Sequence, residues 1–287
     1  MNKTCYMFAA LLLALALVTG GCQRQDRAEQ KKVDLIYVEW SSEVASTSVI
    51  QAVLQEKMGY EASMIPVSAA AMWQGIATGD ADAMVAAWLP TTHGHYLERL
   101  EDRVVDLGPN LVGTRIGLVV PSYVSIDSIA ELNDHADKFN GRIIGIDPGA
   151  GIMSTTETAM EEYGLDAMEL MVGSGATMTA ALADAIRHEQ WLVITGWSPH
   201  WKFARWDLKY LEDPKNIYGG AEAIHTIVRQ GLKEDMPEVY HLLDNFHWSL
   251  EDMQQVMVWN SEEGASPYEN AKRWVEENDD KVQAWLR

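Results

Sequence analysis

Ala83-Met84-Val85-Ala86-Ala87-Trp88-Leu89-Pro90 and Leu192-Val193-Ile194-Thr195-Gly196-Trp197-Ser198-Pro199 are two apolar runs that end alike, in a tryptophan followed two residues later by a proline. Apolar runs this short, bounded by turn residues, read as buried strands. Reading back from each gives the same order. The first is preceded by a strand at 35–38, a helix at 46–57 stopped by Gly59, a strand at 62–66 and a helix at 69–78. The turn Gly79-Asp80 then leads into a strand at 83–87. The second is preceded by a strand at 143–146, a helix at 154–163 stopped by Gly164, a strand at 170–172 and a helix at 177–188, before its own strand at 192–195. Strands alternating with helices define an α/β chain, and the repeated order suggests two lobes of like topology.

An apolar strand at 115–120, ending at Pro121, lies between the halves. Beyond Asp213-Pro214 the pattern reads as mostly helical to the C-terminus. The simplest layout puts residues 33–119 plus 215–287 in a first lobe and 120–214 in a second. Two chain crossings between lobes make a hinge.

The N-terminus reads as an export signal. Met1-Asn2-Lys3 is followed by an uncharged apolar run over 6–18 and then by Thr19-Gly20-Gly21-Cys22. Residues 1–22 are therefore expected to be a signal peptide and are left out of fold reasoning. The closing cysteine resembles a bacterial lipobox, with Thr19 where Leu or Val is usual, so Cys22 is the expected site of lipid attachment to a membrane. The polar stretch 23–32 reads as a tether. Cys5 and Cys22 are the two cysteines, and Cys5 leaves with the signal, so the domain stands without a disulfide. A net charge of −20 argues against a nucleic-acid partner, since phosphate binding wants a basic surface.

Eleven tryptophans are many for 287 residues. Trp73, Trp191, Trp206, Trp248, Trp259, Trp274 and Trp285 fall in apparent helices, element edges or the chain end, where packing is the default. Trp201 is ambiguous. Trp40, Trp88 and Trp197 differ, because each leaves the carboxyl end of a strand, where open α/β sheets bind ligands. Two from one lobe and one from the other form an aromatic box on closure. Indole faces attract cations that cannot donate hydrogen bonds, quaternary ammonium above all, at roughly 2 kcal/mol per desolvated face. Asp147-Pro148-Gly149-Ala150-Gly151-Ile152 is a glycine-rich turn running from a strand into a helix, and the amides of such a start suit an anion. It holds no basic side chain, which fits a carboxylate better than a phosphate. Together these features read as a zwitterion site.

Four segments carry a resemblance: Tyr37-Val38-Glu39-Trp40, Ala87-Trp88-Leu89-Pro90-Thr91-Thr92-His93, Gly145-Ile146-Asp147-Pro148-Gly149-Ala150-Gly151-Ile152-Met153 and Thr195-Gly196-Trp197-Ser198-Pro199-His200-Trp201. In these the chain from Val33 onward resembles the substrate-binding lipoproteins of glycine betaine/proline betaine ABC importers. The resemblance implies a two-lobed clamshell of the periplasmic-binding-protein kind (type II), with ligand between the lobes and an importer permease as partner. It implies a tryptophan prism of Trp40, Trp88 and Trp197, a carboxylate grip from the amides of Gly151 and Ile152, and a supporting role for His93. Taken alone, His93 reads equally as a loop residue. Choline, carnitine, ectoine and a sulfonium analogue stay open as ligands. A metal-dependent enzyme is the alternative from another class, resting on His93-Gly94-His95. No G-x-S-x-G elbow, P-loop or H-E-x-x-H accompanies that pair, and no cofactor is implied.

Overall fold

The computed structural model describes residues 31–287; the signal segment, Cys22 and nearly all of the tether lie outside the described residues. Strands β1 (Lys32–Tyr37), β2 (Glu61–Pro66) and β3 (Ala83–Leu89) alternate with helices α1 (Ser41–Glu56) and α2 (Ala69–Thr78). β1 pairs in parallel with both β2 and β3. After the short helix α3 (Gly94–Leu100) and the long strand β4 (Val104–Pro121), the pattern returns. Strands β5 (Arg142–Ile144), β6 (Glu169–Met171) and β7 (Val193–Ser198) alternate with helices α4 (Gly151–Tyr163) and α5 (Gly175–Arg187). Here β5 pairs in parallel with β6 and β7. The orders β2-β1-β3 and β6-β5-β7 therefore match, as the parallel readings of the two sequence halves require.

Two strands precede the helices that end the chain, one before Pro214 and one within the stretch expected to be mostly helical. Strand β8 (Leu208–Tyr210) pairs with the end of β4, and β9 (Glu222–Arg229) inserts antiparallel between β3 and β4. β9 carries Glu222, His225, Thr226 and Arg229 among its apolar residues, which hides its strand character from a search for apolar runs. The remainder is helical: α6 (Pro237–Asn245), α7 (Leu250–Asn260), α8 (Pro267–Glu277) and α9 (Asp279–Trp285). α8 covers α1, and Trp248, Trp274, Trp285 and Phe246 form one aromatic cluster with ring centroids 5.0–5.7 Å apart. Those three tryptophans are packing residues of the first lobe.

β4 belongs to both sheets. Thr114 pairs with Glu222 in the first and Arg115 with Ser198 in the second, so the change of sheet falls within the strand, before the expected division at 119/120. The strand 115–120 read from the sequence is the half of β4 that lies in the second sheet.

α1 starts at Ser41 rather than at 46. Ser41–Ser48 is rich in serine and β-branched residues, poor helix formers. Burial outweighs propensity: Ser42, Glu43, Ser46, Thr47 and Ser48 are all buried. The first turn of the helix is polar where Ser42 and Glu43 line the cleft.

A buried ion pair fastens the base of the first sheet. Arg229 Nε donates to Asp82 Oδ1 at 2.7 Å, both side chains 2% exposed. Asp82 Oδ2 accepts from the Asp34 amide at 2.9 Å, and Arg229 also reaches Asp235 at 2.7 Å. One pair thus ties the start of β1, the start of β3 and the end of β9. Removing one partner of a buried pair leaves an uncompensated charge. Asp82→Ala is expected to lower unfolding free energy by about 3–5 kcal/mol in urea titration; a loss under about 1 kcal/mol would show that the pair is dispensable.

Candidate functional site

The cleft between the two sheets holds a small cavity. Trp40, Ser42, Glu43, Trp88, Thr92 and His93 line it from the first lobe, and Ile116, Ile146, Ala150, Gly151, Ile152 and Trp197 from the second. The six residues singled out by sequence as ligand contacts (Trp40, Trp88, Trp197, His93, Gly151 and Ile152) all border this one cavity.

Each box indole is held by its edge. Trp40 stands at the N-terminus of α1, its carbonyl accepting the Val44 amide, and its Nε1 donates to Asp147 Oδ2 at 3.0 Å across the cleft. Trp88 lies within β3, which runs on to Leu89, and donates to Glu43 Oε1 at 2.6 Å. Trp197 lies within β7 and donates across the cleft to Ser42 Oγ at 3.2 Å, while Ser42 donates to Glu43 Oε2 at 2.5 Å. Ser42 and Glu43 thus join an indole of each lobe into one chain. Bonds in the ring plane satisfy the buried N–H groups and leave the π faces unengaged by them. Trp88 and Trp197 are each followed closely by a cis X-Pro bond, Leu89-Pro90 and Ser198-Pro199.

The anion side is built from backbone. Gly151 and Ile152 are the first two residues of α4, so their N–H groups have no intrahelical acceptor. They sit where the helix dipole favours negative charge. Gly151 meets the first lobe directly: a Cβ there would overlap the Thr92 carbonyl oxygen. The Thr91-Thr92 loop is itself held by the Glu222 carboxylate, which accepts both amides at 2.6 and 2.7 Å and the Thr92 hydroxyl at 2.5 Å. Tyr96 closes the rim, donating to the Gly149 carbonyl at 3.1 Å.

Burial sets the charge states. His93 is fully buried, and burial first, with nearby His95 adding, lowers its pKa to about 3. Its Nδ1 accepts the Trp88 amide at 3.0 Å, so a neutral ring carries its proton on Nε2, which is buried and unpaired. Burial pushes Glu43 up to about 7, against the opposing hydrogen bonds of Ser42 and Trp88. Lys202, fully buried 4.2 Å from the Trp197 ring centre, is driven well below the ordinary lysine range by desolvation. No Lys or Arg lines the cavity. Among the described residues, no group of three or more His, Cys, Asp or Glu is placed to hold a metal ion; the His95 ring lies tilted against Tyr96 with ring centroids 4.0 Å apart.

Sequence reading passed over Ser42, Glu43, Glu222 and Lys202. Polar residues in a polar stretch read as a solvated face. The available signal for Glu43 was its position three residues after Trp40, one turn of helix further on. Trp201, ambiguous in sequence, also donates across the cleft, to Ser41 Oγ at 3.2 Å.

Two matching α/β lobes closed on an aromatic cavity define a solute-binding protein of the periplasmic-binding-protein class. The chain belongs to the family of substrate binding domains of ABC-type glycine betaine transport systems, whose model matches residues 31–277. It is 50% identical over 154 residues to the glycine betaine/carnitine transport binding protein GbuC of Listeria monocytogenes, over 53% of this chain and 51% of that protein. The chain thus spans about half the length of that relative. Among solved structures, lactococcal OpuAC, closed and complexed with glycine betaine, aligns with TM-score 0.85 and 44% identity over 90% of this chain and 100% of that one. The glycine betaine/L-proline-binding protein ProX of Borrelia burgdorferi gives 0.86 and 43%, over 90% and 97%. A choline-binding protein in complex with choline gives 0.83 and 26%, over 90% and 92%. Such proteins work outside the cytoplasm, and among the described residues no helix is long and apolar enough to cross a membrane.

The two buried titratable groups of the cavity oppose each other in acid. His93, lowered from 6.5 to about 3, makes the unfolded chain bind more protons between those values, so its contribution is lost as pH falls through 6.5. Glu43, raised from 4.5 to about 7, makes the native state bind more protons in its window. Its contribution is full below 4.5 and lost as pH rises through 7. Glu43→Gln is therefore expected to make stability fall more steeply than in the parent as pH drops from 6.5 to 5, by up to about 1.4 kcal/mol per pH unit. Parallel denaturation curves for the two proteins at all pH values would contradict this.

Proposed function

We propose that this protein captures glycine betaine, or the related proline betaine, between its lobes and presents it to the permease of an ABC importer. The observation that carries the reading is one cavity bordered by three indoles from two lobes, with the first amides of α4 beside them. The trimethylammonium group lies among Trp40, Trp88 and Trp197, each desolvated face contributing roughly 2 kcal/mol. The carboxylate takes the N–H groups of Gly151 and Ile152, and the neutral His93 adds a donor from Nε2. Roughly 6 kcal/mol from the three faces is a large part of the ~8 kcal/mol of a micromolar complex.

Binding is the whole activity in this reading, which the match to a family of substrate binding domains supports. Cys22, outside the described residues, is the proposed lipid attachment that keeps the protein at the membrane face where its permease stands. The lobes are proposed to divide where β4 changes sheets, between Thr114 and Arg115, with the return crossing near residues 215–221. Closing about this axis brings Trp197 to Ser42 and Asp147 to Trp40.

Isothermal titration tests the reading. Glycine betaine is expected to bind, and Ala at Trp40, Trp88 or Trp197 to weaken it by at least ~1–2 kcal/mol, since each removes a desolvated cation–π face. Trp248→Ala and Trp274→Ala are expected to leave affinity unchanged while lowering stability by about 3–5 kcal/mol. If all five variants bind alike, the site is elsewhere.

Choline separates the two halves of the site. It carries the same trimethylammonium group but ends in a hydroxyl, so the α4 amides lose a charged acceptor. Charge-assisted hydrogen bonds are the stronger kind, and poorly met buried donors cost about 1–3 kcal/mol. Choline is expected to bind at least ~10-fold more weakly than glycine betaine. Equal affinity would mean that the 149–152 turn holds no carboxylate.

A further inference from the structure

We propose that Glu43 is the counter-ion of the bound ammonium group, so that this site selects a fixed positive charge and not merely a bulky apolar head, and exchanges a proton with solvent as it does so. The proposal rests on the ammonium reading above and adds a residue to it.

The geometry is specific. Glu43 lines the cavity with all three indoles and is 1% exposed. One oxygen accepts from Trp88 Nε1 at 2.6 Å and the other from Ser42 Oγ at 2.5 Å. Ser42 in turn accepts from Trp197 at 3.2 Å. Both oxygens are thus satisfied by donors that favour the ionised form: one is the edge of the Trp88 wall, and the other, Ser42, in turn holds the edge of Trp197. What disfavours ionisation is desolvation alone, which holds Glu43 up at about 7 in the empty site. No cationic side chain lines the cavity to offset it. A quaternary ammonium is the missing opposite charge, because it brings a full positive charge that cannot be lost as a proton and needs no hydrogen bond.

The other titratable groups around Glu43 do not supply that charge. His93, from the loop after β3, is kept neutral by burial. His200 and Lys202, behind Trp197 in the second lobe, are both displaced toward their neutral forms by desolvation. The nearest other carboxylates are engaged elsewhere, Asp147 by Trp40 Nε1 and Glu222 by Thr91 and Thr92.

A cation beside a carboxylate favours the charged form and lowers its pKa. Ligand binding therefore discharges a proton from Glu43 whenever the pH lies below about 7 and above the lowered value. Affinity is full above the free-site pKa and declines as pH falls through that window. The ligand's own carboxylate, an α-carboxyl of pKa ≈ 3.3–3.7 in ordinary chains, stays ionised throughout.

Titrations of the full protein with glycine betaine, at pH 8 and pH 5.5, decide the matter. The parent protein is expected to bind about 10-fold more weakly at pH 5.5. At pH 6.5, comparing buffers of different ionisation enthalpy should reveal net proton release. Glu43→Gln is expected to bind more weakly at pH 8 and to lose the pH dependence. The isostere 3,3-dimethylbutyrate, with a neutral quaternary carbon in place of the ammonium nitrogen, keeps the carboxylate and the three methyl groups, and the preference for glycine betaine over it at pH 8 should narrow about 10-fold in the variant. Binding that is equal at both pH values without proton release overturns the counter-ion role while leaving the ligand reading intact. A pH profile that survives in Glu43→Gln also overturns it and moves the proton to another group. Should the variant not fold, proton release by the parent protein decides alone. Failure to bind glycine betaine at pH 8 removes the ligand reading itself.

Discussion

Burying an indole N–H without a partner costs free energy, and the closed form of this protein pairs all three box indoles. Two of the three box indoles find their acceptors in the opposite lobe: Trp40 in Asp147 and Trp197 in Ser42. Each bond does two things. It aligns a ring at the cavity, and it fastens one lobe to the other. Wall and latch are the same side chain, so the box is complete only when the cleft is shut. The early start of α1 at Ser41 follows from this, since its first turn must present serine and glutamate inward to receive the indoles.

A cavity lined by buried side chains needs its charges managed in advance. His93, Lys202 and Glu43 all sit where their charged forms are penalised by burial, and two of them respond by staying neutral. Burial displaces Lys202 toward its neutral form, in which it competes less for the face of the Trp197 ring. His93 becomes a fixed donor without adding positive charge beside the ammonium position. Glu222 serves from a distance, its carboxylate setting the loop that carries His93 and meets α4.

Much of this was legible in the chain because it rests on local chemistry. Apolar runs marked β1, β3, β5 and β7, glycines marked the ends of α2 and α4, and tryptophans at strand ends marked the cleft. The residues that escaped are those whose meaning depends on distant partners. β9 alternates charged with apolar residues, and only its position between β3 and β4 makes it central. Glu43 and Glu222 look like surface carboxylates until the fold buries them. Lys202 gives no local sign of being entombed behind Trp197. The switch of β4 from one sheet to the other leaves no mark in its apolar pattern, since each half is buried against a different neighbour.

The meeting of Gly151 with Thr92 sets a tolerance on the whole motion. The hydrogen at Cα is the entire gap between the lobes at that point, and any side chain would intrude on the Thr92 carbonyl. The contact works as a doorstop whose thickness is one missing carbon. A single methyl group there would hold the cleft ajar, admit water to the indole edges, and turn a capture device into a loose sponge without altering one residue of the aromatic box.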